Sequence, residues 1–224
     1  MATIVTRPFA GGRLFDPIVR FWARSLLFAC GASLIVKGQE NVDFNRHYIY
    51  VSNHASLLDI PAVVAALPDK IRIVYKRELN LIPLFGWAMY LTRMHIGIDR
   101  SRGMSSMRRL ESDVRRVTEN ASLLLFAEGT RTPDGALQPF KRGAFNLAVR
   151  ASVGVVPLTI LGSRSILPKH SLRIKPGKLT LVLDKPIDPK GADSAEADVR
   201  LMEETRSIIE RHFENAQQSY VSNG

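Results

Sequence analysis

From Gly38 onward, the sequence alternates short runs of aliphatic and β-branched residues with longer segments whose apolar residues recur at helical spacing. Parallel strands need a connecting segment, usually a helix, and strands that are buried on both faces are apolar throughout. The alternation therefore predicts a single α/β layered domain with a mostly buried sheet flanked by helices, and it leaves open whether the sheet is mixed. The predicted strands are Tyr48 to Ser52, Ile71 to Tyr75, Met94 to Ile98, Ser122 to Phe126, Val153 to Ile160 and Leu179 to Leu183. The predicted helices are Leu57 to Leu67, Ile82 to Leu91, Met104 to Glu119, Phe140 to Ala151 and Asp198 to Gln218.

Composition limits the kinds of protein that this chain can be. Its 224 residues, 46% of them apolar, fit one globular domain. The 31 Lys and Arg residues against 21 Asp and Glu give a net charge of +10, which favours an anionic partner such as a membrane surface, a phosphorylated substrate, an acidic carrier protein or nucleic acid. Cys30 is the only cysteine, so an internal disulfide and a multi-cysteine zinc site are excluded, and a cytoplasmic setting is expected.

The N-terminal segment carries a helical pattern of its own. Asp16, Arg20 and Arg24 recur every four residues and form a polar, mainly basic stripe on an otherwise apolar helix. An apolar run from Ser25 to Val36 follows, and it is shorter than the roughly 20 residues that a membrane span needs. A basic stripe beside an apolar face is typical of a helix that lies in the lipid headgroup zone.

Two interpretations of this segment remain open, because a helix that caps the domain core would show the same periodicity. On the first interpretation, residues 1–37 form an amphipathic membrane-associating segment whose basic stripe faces the headgroups. Residues 38–224 then form the single domain, and the protein is peripheral or monotopic on the cytoplasmic face of an anionic membrane.

Polar residues follow the first predicted strand, at a strand end where α/β folds place their sites. Asn53 and His54 come directly after the strand, and Asp59 stands five residues beyond His54, within the predicted helix. If Ser56 caps that helix, the chain outside the cap can bring His54 to the Asp59 carboxylate, which would make a general-base pair. The alternative is an ordinary capping box formed by Ser56 and Asp59, with no role for the histidine.

A second polar group, Phe126 to Arg131, follows another apolar strand. Gly129 allows a positive φ or a close backbone approach, and Glu128 can support an arginine. Arg131 offers the planar fork that binds phosphate through two hydrogen bonds. The alternative is a turn held by a salt bridge.

Two further groups supply cations, and a third is apolar. Ile98 to Arg100 ends a predicted strand, and Phe140 to Gly143 contains the neighbouring cations Lys141 and Arg142. Solvated surface charge is the alternative for both groups. In Val155 to Leu158 a proline bends or ends an apolar strand, which alone indicates core.

Taken together and in this order, these groups resemble the motifs of the 1-acylglycerol-3-phosphate acyltransferase family, and the resemblance covers roughly Gly38 to Asp188. One departure is Ala127, at a position where members of the family usually carry proline. It relaxes a backbone constraint but removes no reacting group. The four motifs, in order, are matched by Asn53 to Asp59, Ile98 to Arg100, Phe126 to Arg131 and Val155 to Leu158, and the segment between the first two by Lys76 to Leu79 and Ile82 to Gly86.

The resemblance implies an enzyme that moves a fatty acyl group from acyl-CoA or acyl carrier protein to the free sn-2 hydroxyl of 1-acylglycerol-3-phosphate, giving phosphatidic acid. By the same resemblance, His54 is the general base, Asp59 orients it, and the hydroxyl attacks the thioester without an acyl-enzyme. No metal and no organic cofactor is implied. The residues that would bind the substrate are Asn53, Lys76, Arg100, Glu128, Gly129, Thr130 and Arg131.

Other functions remain open at this stage. The acceptor could be another lysolipid, such as a lyso-aminolipid, because the motifs describe the chemistry better than the headgroup. A non-catalytic peripheral lipid-binding protein would need only the amphipathic N-terminal segment, but the His54 and Asp59 pair argues against it. A nucleic-acid partner is not expected, since the sequence shows no zinc finger, RNA-recognition signature or aromatic and basic platform.

Overall fold

A computed structural model of the chain describes residues 15–76, 96–98, 103–171, 173–189 and 196–221. Within these ranges, seven strands form one sheet in the order β1-β7-β6-β2-β5-β3-β4. Neighbouring strands are parallel except β6 and β7, so the sheet is mixed. The strands are β1 (Ala32–Lys37), β2 (Ile49–Ser52), β3 (Ile71–Lys76), β4 (Ile96–Ile98), β5 (Ser122–Phe126), β6 (Val155–Leu161) and β7 (Gly177–Leu183).

Helices flank the sheet, and the predicted α/β layered fold is confirmed. The predicted helix Ile82 to Leu91 lies outside the described residues. Sequence reasoning missed β1, which it placed in the apolar N-terminal run, and a single short turn of helix after β6. The helices of the described ranges are α1 (Phe15–Ala29), α2 (Asp59–Ala66), α3 (Gly103–Thr118), α4 (Gly143–Ala151), α5 (Ser163–Ile166) and α6 (Ala197–Val221).

The core lies on both faces of the sheet. Successive side chains of a strand point to opposite faces, so Tyr50 of β2 packs in one apolar cluster and Ile49 in the other. The first cluster includes residues of α1 and α2, and the second includes residues of α3, α4 and α6. All four residues of β2 are buried, which explains why the central strands read as uninterrupted apolar runs. Each fully buried aliphatic side chain contributes roughly 1.5–3 kcal/mol to folding.

The register of the central strands determines where the polar motifs meet. Ser52, the last residue of β2, pairs with Phe126 at the end of β5 and with Leu158 of β6. Because these three strands run parallel, the chain leaves β2 and β5 at the same edge of the sheet. The polar groups that begin at Asn53 and Ala127 are therefore neighbours in space, although more than 70 residues separate them in the sequence.

The polar stripe of α1, for which the sequence left two interpretations open, contacts the domain. Arg72 of β3, which is buried, donates through two nitrogens to the Asp16 carboxylate at 2.6 and 3.1 Å. Arg20 donates to the carbonyls of Pro68 and Asp69, and Arg24 to that of Ala65. The stripe thus contacts the domain, as the core-capping interpretation expects, and periodicity left the choice open because it shows which residues share a face and not what that face contacts.

The opposite face of α1 is apolar and exposed. Phe21 is 74% exposed and Phe28 87%, and Ile18 and Trp22 extend the same face. The helix ends at Ala29, so the apolar run after it does not continue the helix but enters the sheet as β1. No helix in the described ranges is both long enough and apolar enough to cross a bilayer.

The contact between α1 and β3 yields a prediction about stability. Asp16→Ala removes the carboxylate that both Arg72 nitrogens contact and leaves a buried guanidinium with weaker compensation. We expect a loss of about 1.5–3 kcal/mol in the free energy of unfolding, measured by urea denaturation. The control is Asp113→Ala, which breaks an exposed ion pair with Arg116 and should cost less than about 1 kcal/mol. Equal losses in the two variants would contradict the claim that the contact of Asp16 with Arg72 stabilises the packing of α1 on β3.

Candidate active site

His54 and Asp59 form a hydrogen-bonded pair at the carboxyl edge of the sheet. His54 Nδ1 lies 2.7 Å from Asp59 Oδ2, and the Asp59 carboxylate is fully buried. A carboxylate that accepts from Nδ1–H leaves Nε2 as the ring nitrogen with the free lone pair. The pair therefore has the tautomer that a general base requires.

The contact between His54 and Asp59 occurs together with one half of the predicted capping box, but Leu58 and not Ser56 is the N-cap of α2. Asp59 Oδ2 also accepts the backbone N–H groups of Ala55 and Ser56, both at 2.8 Å. Ser56 Oγ accepts the Leu58 N–H at 3.2 Å and donates to the carbonyl of Leu167 at 2.8 Å. The same carboxylate oxygen thus orders the turn before α2 and orients the histidine.

The His54 ring packs against Phe126, an aromatic side chain to which the sequence analysis gave no role of its own. The rings of His54 and Phe126 are stacked, with centroids 3.8 Å apart and an interplanar angle of 14°. The His54 side chain is 15% exposed. Held between Phe126 and Asp59, the ring has one orientation and still reaches solvent.

Glu128 is a buried carboxylate whose two oxygens both accept backbone N–H groups. Oε1 accepts from His54 at 2.7 Å, and Oε2 accepts from Gln138 at 3.0 Å. Burial raises the pKa of Glu128 to about 7, and the two N–H donors offset that rise only in part. The expected support of an arginine is not what its contacts provide, because the carboxylate instead joins the His54 backbone to the chain after the turn.

Asn53 is likewise held by backbone. Its side-chain amide donates to the carbonyl of Ile160 at 2.9 Å and accepts the N–H of the same residue at 2.8 Å. The His54 carbonyl accepts the N–H of Thr132 at 2.8 Å. Asn53 is therefore fixed to β6, and the His54 backbone is fixed to the chain after β5.

The remaining predicted substrate-binding residues differ in how far the structure describes them. Gly129 has a φ of +72°, which favours glycine. Thr130 is exposed, and Arg131 is partly exposed, with its carbonyl accepting from Lys169 Nζ at 2.9 Å. Within the described part of the chain, the Arg131 guanidinium makes no hydrogen bond or ion pair. Arg100 and the side chain of Lys76 lie outside the described residues.

Comparisons with known proteins show which family this chain resembles along its length. A family model described as Acyltransferase matches residues 33–161, more than half of the chain. A 1-acyl-sn-glycerol-3-phosphate acyltransferase of Cocos nucifera is 30% identical over 226 residues, covering 100% of this chain and 72% of the coconut protein. The chain belongs to the 1-acyl-sn-glycerol-3-phosphate acyltransferase family.

Other members of the family show the same similarity. The human 1-acyl-sn-glycerol-3-phosphate acyltransferase beta is 31% identical over 199 residues, which are 88% of this chain and 71% of the human protein. A chloroplastic member of Arabidopsis thaliana is 32% identical, but the match spans only 55% of its length. The crystal structure of the 1-acyl-sn-glycerophosphate acyltransferase PlsC of Thermotoga maritima matches with a TM-score of 0.74 and 27% identity, over 90% of this chain and 79% of that one.

The departure of this acyltransferase from its family at Ala127 has a structural counterpart. The Ala127 N–H donates to the carbonyl of Ser52 at 3.0 Å, which continues the hydrogen bonding of β2 with β5 past the last paired strand residues. Proline has no N–H and could not make this bond. Ala127 therefore joins the ends of the two strands from which the histidine and glutamate motifs emerge.

The raised pKa of Glu128 predicts how stability depends on pH. Between its ordinary value of 4.5 and the folded-state value of about 7, the folded protein binds a proton at Glu128 that the unfolded chain does not hold. This contribution to stability is present below pH 4.5 and is lost as the pH rises to about 7. Glu128→Gln does not titrate, so the stability of the wild type relative to this variant should fall across that window. Melting temperatures of both proteins from pH 4.5 to 8 test this, and a constant difference would contradict it.

Proposed function

We propose that this acyltransferase transfers a fatty acyl group from acyl-CoA or acyl carrier protein to the sn-2 hydroxyl of 1-acylglycerol-3-phosphate and forms phosphatidic acid. The observation that carries the proposal is the 2.7 Å contact of His54 Nδ1 with the buried Asp59 carboxylate, at the sheet edge where the segments Asn53 to Asp59 and Phe126 to Arg131 meet. The names of the relatives support this acceptor, since those compared are 1-acylglycerol-3-phosphate acyltransferases. Neither a metal nor a cofactor is needed, because a thioester is already reactive toward an activated hydroxyl.

In the proposed reaction, His54 Nε2 takes the proton of the acceptor hydroxyl as its oxygen attacks the thioester carbonyl. The C–O bond forms and the C–S bond breaks. The departing thiolate then takes the proton from the imidazolium, which leaves an ester, a free thiol and the neutral base. The Asp59 carboxylate stabilises the imidazolium while it exists. The family resemblance implies direct transfer, and the single cysteine, Cys30, is buried near the end of α1 and offers no competing thiol nucleophile.

Glu128 and Asn53 support this reaction as positioning residues. Each is buried, and each engages backbone groups through both ends of its polar side chain. Glu128 fixes the His54 N–H and Asn53 fixes the residue before His54 to β6, and a base displaced by even 1 Å loses much of its rate. Arg131 is the residue we assign to the acceptor phosphate, since its guanidinium makes no polar contact with the described residues and can form two parallel hydrogen bonds.

The exposed face of α1 supports a further part of the proposal, that the enzyme works on the cytoplasmic surface of an anionic membrane. Phe21, Trp22 and Phe28 present large aromatic side chains to the outside of the domain. Because Asp16 and Arg20 contact the domain, insertion of these aromatics contributes more to attachment than the stripe does. The net charge of +10 adds attraction to anionic lipid.

The first experiment is an acyl-transfer assay with purified protein, a panel of lysolipids and both donors. We expect the highest kcat/KM with 1-acylglycerol-3-phosphate. If a lyso-aminolipid or another lysophospholipid were turned over faster, the proposed acceptor would be wrong, but the proposed acyl-transfer reaction would stand. Absence of turnover with every acceptor, by protein that binds vesicles, would favour a non-catalytic lipid-binding protein.

Variants of the general-base pair test the mechanism. We expect His54→Ala to lower kcat by about 100- to 10,000-fold, because removing a positioned base has an effect of that size. Asp59→Asn should lower kcat less. The matched control is His212→Ala, since His212 Nε2 lies 2.8 Å from Asp184 Oδ2 in a second His and Asp pair beyond the end of β7. It should retain about the wild-type rate. Folded His54→Ala with more than about half of that rate would refute the mechanism.

A triple variant tests membrane attachment. Replacing Phe21, Trp22 and Phe28 with serine removes three exposed aromatics and should lower partitioning to anionic vesicles by more than roughly tenfold, as measured by sedimentation. Raising the salt concentration should lower the vesicle binding of the wild type by a smaller factor than the triple substitution does. The control is Ile174→Ser, a single exposed apolar residue outside α1. If the triple variant bound vesicles as well as the control does, α1 would not be the docking surface.

A further inference from the structure

Lys141 and Arg142 are adjacent cations in the sequence, but the structure gives them different surroundings. Arg142 donates to both carboxylate oxygens of Asp198 at 2.6 and 2.7 Å, which holds the pKa of Asp198 below its usual range. Arg142 therefore ties the start of α4 to the start of α6. Among the described residues, no carboxylate forms an ion pair with Lys141.

The Lys141 backbone and side chain both lie against the turn that contains Glu128, next to Ala127 and Gly129. The Lys141 N–H donates to the carbonyl of Ala127 at 2.8 Å. The side chain crosses the α-carbon of Gly129, so that a Cβ on this glycine would lie 3.0 Å from Lys141 Nζ, 3.1 Å from Cδ and 3.2 Å from Cε. Glycine at this position therefore serves both the positive φ and the close passage of the lysine.

This arrangement brings an ammonium group to the turn that also holds the proposed base. Glu128, the residue before Gly129, hydrogen-bonds the His54 N–H, and Arg131 follows Gly129 by two residues. Among the described residues no ion pair joins Glu128 to Lys141, and both Glu128 oxygens accept backbone N–H groups instead. A lysine stem packed on a glycine with its charge left available is suited to an anionic ligand.

We propose that Lys141 is a second phosphate-binding residue of the site, and that its ammonium binds the phosphomonoester of the acceptor together with Arg131. The inference rests on the proposed function, which supplies the phosphate-bearing acceptor. Arg131 provides the directional fork and Lys141 a compact charge that tolerates rotation of the phosphate. The acyl donor also carries phosphate, so the experiment has to separate the two sources.

The experiment compares steady-state kinetics of Lys141→Met, Lys141→Arg and the wild type with each substrate varied in turn. Methionine keeps an unbranched side chain over Gly129 but removes the charge. We expect Lys141→Met to raise the acceptor KM roughly tenfold, the lower end of the effect for a hydrogen bond to a charged group, with donor KM and melting temperature nearly unchanged. Lys141→Arg should recover most of the loss. Arg131→Lys in the same assay is the reference for a phosphate contact, and Lys185→Met controls for removal of an exposed lysine after β7.

Three results would overturn the proposal. An increase confined to the donor KM would assign Lys141 to the donor phosphate, and unchanged kinetics would make it an ordinary surface lysine. A lower melting temperature with both KM values raised would make its role structural. Failure of the proposed function looks different, because the wild type would then not acylate 1-acylglycerol-3-phosphate. The same variants compared on the phosphate-bearing lysolipid that it does acylate would still test Lys141.

Discussion

One carboxylate oxygen, Asp59 Oδ2, connects the chemistry of this acyltransferase to its fold. It accepts three hydrogen bonds, from His54 Nδ1 and from the backbone N–H groups of Ala55 and Ser56. The same oxygen therefore selects the imidazole tautomer and satisfies two backbone donors in the turn between β2 and α2. Loss of this oxygen would leave buried N–H groups unsatisfied as well as a misoriented base, so helix and site depend on one interaction.

The sheet supplies what this local interaction cannot, namely contact between distant parts of the chain. Pairing of Ser52 with Phe126 brings the aromatic ring under His54 and the Glu128 carboxylate to the His54 N–H. A slip of one residue between β2 and β5 would turn these side chains to the other face of the sheet. The buried, apolar central strands make such a slip costly, so the hydrophobic core maintains the geometry of a polar site.

The sequence was a good guide to short-range features and a poor guide to long-range contacts. His54 and Asp59 could be paired because five residues separate them, and the strands that carry the motifs were predicted to within a few residues. The stacking of Phe126 and the contact of Glu128 with Gln138 depend on register and loop path, which no local pattern encodes. The polar stripe of α1 left two interpretations open for a related reason, since an amphipathic helix buries whichever face has partners, here the Asp16 face against Arg72.

The N–H that Ala127 contributes between the two motif-bearing strands also has a use as a reporter. An amide hydrogen-bonded at a strand end exchanges with solvent only when that junction opens, so its exchange rate measures the free energy of local opening. Deuterium exchange at Ala127 would thus show whether substrate closes or loosens the seam between β2 and β5, a property of the site that turnover alone does not reveal.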